Sequence, residues 1–168
     1  VTGVPVPPAV AKFVDDFYRI SDEADADAYA AQFTEDVTFR VHEPRVGRAA
    51  VREGKARIGE HFTHMAHNYE HVFCSEPNVA YVVGALDFDR VVDGKRARGI
   101  PWVARITFNG DQDLKIKDYY AWVVGGRAAP LIAALSPHRE GLLGCICTSG
   151  LYVWSCAGTW DGRAEIRL

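Results

Sequence analysis

The stretch Phe33 to Arg52, FTEDVTFRVHEPRVGRAAVR, decides how the rest of the chain is read. An aromatic closes one helix. A Thr34-Glu35-Asp36 turn then leads into a short alternating strand, Val37-Thr38-Phe39-Arg40-Val41. The linker His42-Glu43-Pro44-Arg45-Val46-Gly47 stops that strand, because the residue before a proline avoids the helical region and a glycine permits positive φ. A further helix begins near Arg48.

Toward the N-terminus, Pro7 and Pro8 precede a helix whose apolar stripe is Val10, Phe13, Val14 and Phe17, at i, i+3, i+4 and i+7. Ser21 to Asp27 reads as an acidic, alanine-rich break. Asp25 is placed to cap the next helix, whose face is Ala26, Tyr29, Ala30 and Phe33. The third helix is expected over Arg48 to about Met65, with Ile58, His61, Phe62 and Met65 on one face and Val51 two turns earlier.

After His67 the apolar period changes from 3.6 to 2. His67 to Phe73 alternates. Asn78 to Arg90 reads as a long strand with Val82, Gly84, Leu86 and Phe88 on one face. Asp93-Gly94 is a hairpin signal, Ile100 to Phe108 the return strand, Asn109-Gly110 another turn, and Leu114 to Val124 the last strand. Three helices and an antiparallel meander give an α+β layer, not a parallel βαβ sheet. Pro130 to Leu135 reads as a short helix or cover. Gly141 to Trp160 carries no charged residue, but its glycines, serines and threonine and its lack of basic flanks argue for a packed strand pair, an interface arm or a tail rather than a membrane span.

The chain has 168 residues, 48% hydrophobic and 24% charged, which is enough apolar material for one ordinary domain. A net charge of −3 supplies no basic field for nucleic acid. VTGVPVPPAV lacks the basic and apolar regions of a signal peptide. The four cysteines, Cys74, Cys145, Cys147 and Cys156, are few and irregularly spaced. They read as free thiols in a reducing cytosol, so the expected location is cytoplasmic.

The order and spacing of several motifs resemble the SnoaL-like group of the nuclear transport factor 2-like superfamily. They are Ala24-Asp25-Ala26-Asp27, Phe33 to Phe39, Glu43 to Gly47, Val51-Arg52, Asp93-Gly94, Phe108-Asn109-Gly110 and Leu114-Lys115-Ile116. The resemblance covers roughly residues 8 to 135, which leaves 136–168 as a C-terminal extension. It implies a cone-shaped domain in which a curved antiparallel sheet wraps around three N-terminal helices and leaves an apolar cavity for a small ligand. It also implies homodimerisation through the open sheet face. The superfamily holds cofactor-free isomerases, polyketide cyclases, dehydratases and epoxide hydrolases, together with non-catalytic binding proteins. The tyrosine and two carboxylates of its ketosteroid isomerases fall here on Phe17, Val41 and near Ala104, all apolar, which excludes that trio. An aspartate common in the last strand of SnoaL-like cyclases falls on Val124. Resemblance to scytalone dehydratase over Tyr69-Glu70-His71-Val72-Phe73 points to His71 as the catalytic histidine.

Several residues could carry chemistry in such a cavity. Alternation puts Asp118, Tyr120 and Trp122 on one face of the last strand; the alternative turns Lys117, Tyr119 and Ala121 inward and leaves Asp118 solvated. An aspartate in an apolar pocket suits acid–base work, and a tyrosine can donate to a developing enolate. His71 and His67 share a strand face with Tyr69 and Phe73, and histidine suits proton shuttling. His61 projects from the apolar helix face. Arg90 is placed to hold a carboxylate or phenolate at the rim. Phe17 and Trp102 are placed as walls for a flat ligand. The four histidines His61, His64, His67 and His71 span a helix, a turn and a strand, so no metal site is expected. The reading is a cofactor-independent isomerase, cyclase or dehydratase that moves protons on a cyclic, carbonyl-bearing natural product. His71 and Asp118 would be its acid–base pair and Tyr120 its donor. The alternative is a non-catalytic binding or dimerising protein of the same fold.

Overall fold

The computed structural model describes residues 4–41, 44–110 and 113–123, all within the compact unit Val1–Val124. The short helix expected at 130–135 and the uncharged stretch 141–160 lie outside the described residues, as does the extension 136–168.

Helix α1 (Pro8–Asp22) opens with a proline in its first turn, where the missing N–H costs nothing. Its buried stripe is Val10, Val14, Phe17, Tyr18 and Ser21. The short helix α2 (Ala26–Ala30) is capped by Asp25, whose carboxylate accepts from the Asp27 and Ala28 amides at 2.9 Å. Strand β1 (Phe33–Arg40) and strand β2 (Pro44–Val46) come next. Gly47 caps helix α3 (Arg48–His61) at φ 89°, a conformation that costs a side chain more than it costs glycine. Four strands finish the unit: β3 (Phe62–Glu76), β4 (Val79–Arg90), β5 (Arg96–Phe108) and β6 (Ile116–Val123).

The strands form one curved, unclosed sheet in the order β2-β1-β6-β5-β4-β3. The meander β3 to β6 is antiparallel as expected, but β1 joins β6 in parallel. The expectation of a wholly antiparallel sheet is corrected there. Two further boundaries differ. Phe33 starts β1 instead of closing α2, and remains fully buried. The third helix stops at His61 rather than near Met65, because Phe62 pairs with Arg90 and sets its ring 4.9 Å from Phe88. Strand pairing overrides an apolar period that fits either structure.

One face of the sheet is buried under the helices. Along β4 it carries Ala80, Val82, Gly84, Leu86 and Phe88, and along β5 Ile100, Trp102, Ala104, Ile106 and Phe108. Two bulges decide which side chains join this inner face. In β3 the register slips between Tyr69 and His71, so Glu70 is the extra residue. In β6 it slips at Lys117, so Ile116, Tyr119 and Ala121 all face inward.

Gly84 lies opposite Tyr69, at the first bulge. A Cβ there would meet the Asn68 carbonyl oxygen and lie 2.5 Å from the Tyr69 Cα, both of them backbone atoms that cannot swing aside. Gly84→Ala is therefore expected to lower stability by about 1–3 kcal/mol, as overpacking does. The urea midpoint of the variant measures this, and an unchanged midpoint would contradict the close approach of β3 and β4.

Candidate active site

The bulges undo the pairing expected from strict alternation. Asp118, Tyr120 and Trp122 lie on the outer face, opposite Thr107, Arg105 and Val103. Asp118 sits 3.8 Å from the Arg105 guanidinium. Tyr120 packs against Trp122 with ring centres 4.3 Å apart and planes tilted by 47°, and Arg40 lies over the Tyr120 ring. With Val41, Pro44 and Ala121 these three line a shallow groove. His71 is exposed on the same outer face, opposite Val83. Two strands separate it from β6, so by strand spacing alone it stands about 14 Å from Asp118. The structure does not bring these two together as an acid–base pair. The alternative orientation, with Tyr119 and Ala121 inward, is the observed one.

The other expected residues divide. Phe17 and Trp102 are buried walls of the inner face, 0% and 4% exposed. His61 ends α3 exposed to solvent and not on an apolar face, because the helix stops there. Arg90 is largely buried at the end of β4, with Nε 3.4 Å from Asp93 in the following turn. It is occupied by a local carboxylate rather than held open at a rim.

The inner face holds a different polar constellation. Asp22, the last residue of α1, places its carboxylate 2.6 Å from His67 Nδ1 and accepts the His67 backbone N–H at 3.0 Å. An ionised carboxylate only accepts, so Nδ1 is the donor in this contact, and in the neutral form of the ring Nε2 is the nitrogen that carries the lone pair. The side chains of His67 and Asp22 are 15% and 27% exposed. The two grooves seen among the described residues, one against Asp27, Glu35, Arg48 and Arg52 and the other on the outer face, do not touch this pair, so the apolar cavity expected on the inner face is filled by packed rings there. The His67 ring lies 5.4 Å from Tyr18 and 5.5 Å, edge to face, from Trp102. Tyr18 and Tyr119 face one another with their hydroxyls 3.5 Å apart. The Trp102 indole N–H is buried with no acceptor among the described residues. A buried donor in that state costs about 1–3 kcal/mol, which an incoming ligand oxygen would relieve. On α3, Lys55 donates to the Ser21 carbonyl at 2.6 Å. A second carboxylate, Asp15, accepts from the Tyr69 hydroxyl, so α1 is tied to β3 at two points.

Sequence reasoning named His67 only beside His71, and missed Asp22. The bulge at Glu70 separates what alternation joins: His67 and Tyr69 turn inward, His71 and Phe73 outward. A signal for Asp22 did exist. It lies four residues after Tyr18, where the stripe of α1 continues one turn past Phe17.

Burial raises the phenols of this face. Loss of solvent pushes Tyr119 up to about 12, with the Tyr18 hydroxyl opposing slightly. Tyr18 and Tyr29 are driven well above the usual value of 10, again chiefly by burial. These tyrosines are neutral hydrogen-bond donors throughout the physiological range. An unfolded tyrosine loses its proton near 10 while Tyr119 keeps its own, so the folded state binds more protons above that pH. Stability should fall as pH rises from about 10 to 12, by on the order of 2–3 kcal/mol for Tyr119 alone. Urea midpoints across that window, read beside tyrosinate absorbance, test this. A flat profile would place Tyr119 in water.

Among the described residues no three His, Cys, Asp or Glu side chains converge as metal ligands, and no helix is long and apolar enough to cross a membrane. Residues 14–119, more than half of the chain, match the family described as SnoaL-like domain. No curated protein sequence matches the chain. Solved structures do. One is a protein of Shewanella denitrificans OS-217 assigned as a SnoaL-like polyketide cyclase, 16% identical, with a TM-score of 0.61 over 70% of this chain and 91% of that one. Another, from Novosphingobium aromaticivorans DSM 12444 and assigned as a scytalone dehydratase, is 16% identical, with a TM-score of 0.60 over 70% and 83%. A third is the epoxide hydrolase/cyclase-like enzyme SalBIII of pyran ring formation in the polyether salinomycin, 24% identical, with a TM-score of 0.58 over 70% and 91%. At these identities the likeness is one of fold; the match over residues 14–119 shows that the chain belongs to the SnoaL-like family.

Proposed function

We propose that this protein is a cofactor-independent enzyme that moves protons on a cyclic, carbonyl-bearing small molecule, in an isomerisation, cyclisation or dehydration of secondary metabolism. The observation that carries the reading is the Asp22–His67 pair at 2.6 Å on the aromatic inner face. His67 Nε2 takes a proton from carbon next to the carbonyl. Asp22 holds the ring in the tautomer that leaves Nε2 bare and balances the imidazolium that forms. The Trp102 N–H, and the neutral phenol of Tyr18 beside it, are the donors suited to the enolate oxygen. Tyr18 and Trp102 pack against each other, tilted, with ring centres 5.0 Å apart, and the aromatic surroundings they give the pair favour an aromatic or polyketide-like substrate. The assignments of the similar structures as cyclase and dehydratase support the same class. Action in the cytoplasm accords with the free thiol of Cys74.

A second reading, ligand binding without turnover, is favoured by the close ring packing around Phe17. One experiment separates the two. A panel of cyclic ketones and polyketide-like carbonyl compounds is incubated with the protein in D2O, and deuterium incorporation at the α-carbon is followed by NMR. Exchange above the buffer rate supports the enzyme. Saturable binding with no exchange supports the binder, and neither result sinks both readings.

Pairing of two copies across the outer sheet face belongs to the same proposal. Phe73 is 47% exposed there and stacks on Tyr81. Sedimentation showing only monomer at micromolar concentration would rule the pairing out.

A further inference from the structure

Strand β3 ends the sheet, so the inner face is closed along that edge by the seam between β3 and α1. Asp15, Tyr18 and Asp22 follow at i, i+3 and i+7 on α1 and face Tyr69 and His67, two residues apart on β3. Tyr69 donates its hydroxyl to Asp15, and its half-buried ring lies 5.9 Å from the Tyr18 ring. Across the sheet, Tyr69 is opposite Gly84, and Gly84 is opposite Trp102. Glycine carries no side chain, so nothing from β4 stands between Tyr69 and Trp102 in that row. By strand spacing their backbones are about 10 Å apart. Tyr18 covers the interval, 5.0 Å from Trp102, whose buried N–H has no acceptor among the described residues. The ladder between β3 and β4 is also broken just after Tyr69, at the Glu70 bulge.

We propose that Tyr69 controls access to the site: its ring closes the β3 edge over Tyr18 and Trp102, its hydroxyl latches to Asp15, and release of that latch opens a path across Gly84 to the Trp102 N–H. This rests on the reading of the inner face as the ligand site. A site there needs a gate, because the Asp22–His67 pair touches neither groove and Tyr18 and Trp102 are only 2% and 4% exposed. Tyr69 is the part of the wall that moves at least cost. Phe17 and Phe33 are wedged among rings from several elements. Tyr69 has Tyr18 as its one ring neighbour among the described residues, and its hydroxyl is held by an exposed carboxylate. Swinging its ring outward breaks that hydrogen bond and no backbone ladder. Asp22 holds His67 by a separate tie, so the base stays oriented while the path is open.

Hydrogen exchange of the Trp102 indole N–H, followed by NMR in the full chain, reads the opening without ligand or turnover. Trp102→Phe identifies its resonance among the four tryptophans. Tyr69→Phe keeps the ring and drops the latch, and Asp15→Ala drops the acceptor. Each is expected to speed exchange of that N–H by roughly tenfold, the size of one hydrogen bond to a charged group. The double variant should be no faster than the faster single one, since both cut the same tie. The backbone amides of Val82 and Ala104, both 0% exposed in β4 and β5, should keep their wild-type rates. Trp102 exchange unchanged in both single variants would overturn the proposal. So would an acceleration matched at Val82 and Ala104, which would report a loss of global stability, or a double variant as fast as the product of the two effects. If Asp15→Ala does not fold, Tyr69→Phe decides alone, because it leaves every ring in place. Ketones that neither bind nor exchange their α-protons would end the ligand-site reading. Trp102 exchange indifferent to the latch, with binding intact, would end only the gate.

Discussion

Replacing Phe17 by alanine is expected to destabilise the protein by about 3–5 kcal/mol, the range for emptying a buried phenylalanine site. The residue is 0% exposed. Its ring meets Phe13 and Tyr18 on α1 at 6.2 and 5.0 Å, Tyr29 on α2 at 5.5 Å, Phe33 on β1 at 5.7 Å and Tyr119 on β6 at 5.6 Å. It is the side chain through which the helices and both sides of the β1–β6 junction touch. Rings anchored on four different elements cannot collapse together into the vacancy, so the cavity term stays near its upper range. Domains of this size are stable by about 5–15 kcal/mol, and the variant would lose a large part of that. Phe17→Leu keeps most of the volume and should cost less than half as much. Urea unfolding of the three proteins measures the series. A loss below about 1 kcal/mol for Phe17→Ala would mean that the ring cluster is not the core.

The second large effect concerns rate. If His67 is the base, His67→Gln should lower α-proton exchange by about 10²–10⁴-fold, the usual contribution of a positioned acid–base group. Asp22→Asn should also lose at least tenfold. The reason is the tautomer: an amide can turn its NH2 toward Nδ1, which moves the ring proton to Nε2 and fills the lone pair the reaction needs. Both variants remove half-buried polar atoms and leave the rings around Phe17 in place, so each should unfold within a kcal/mol or two of wild type. His71→Gln, on the outer face, serves as control and should exchange at the wild-type rate. Full exchange in His67→Gln would remove the dyad from the mechanism.

Much of this architecture could be read from the residues. The stripe of α1, the Asp25 cap, the alternation of β4 and the Asp93-Gly94 turn are local signals, and each lies where the pattern put it. The site was far less legible. Alternation assigns faces correctly only while the register is unbroken, and one extra residue at Glu70 or Lys117 reverses every side chain beyond it. Nothing in the composition of either strand announces those insertions; they answer to how β4 and β5 approach. The partner of His67 was hidden for a related reason. Asp22 lies 45 residues away, and as part of an acidic, alanine-rich stretch it looks like solvated loop until α1 is known to run one turn longer. Lys55 was obscured because the apolar period of α3 was drawn through Ile58 and Met65, where the structure has an exposed residue and a strand.

The parallel pairing of β1 with β6 bears on how the chain emerges from the ribosome. β1 is synthesised early, yet one of its two neighbours is the last strand of the unit. Until Ile116 to Val123 leaves the exit tunnel, Phe33 and Val37 have no β6 to pack beside, and one whole edge of β1 is open to any passing strand. The hairpins among β3, β4 and β5 close on short loops and can assemble meanwhile, whereas β1 must wait for the contact of longest sequence separation. Translation pausing within β6 would therefore prolong a state with a bare hydrophobic edge, the kind of species that chaperones hold and that aggregates when they are scarce.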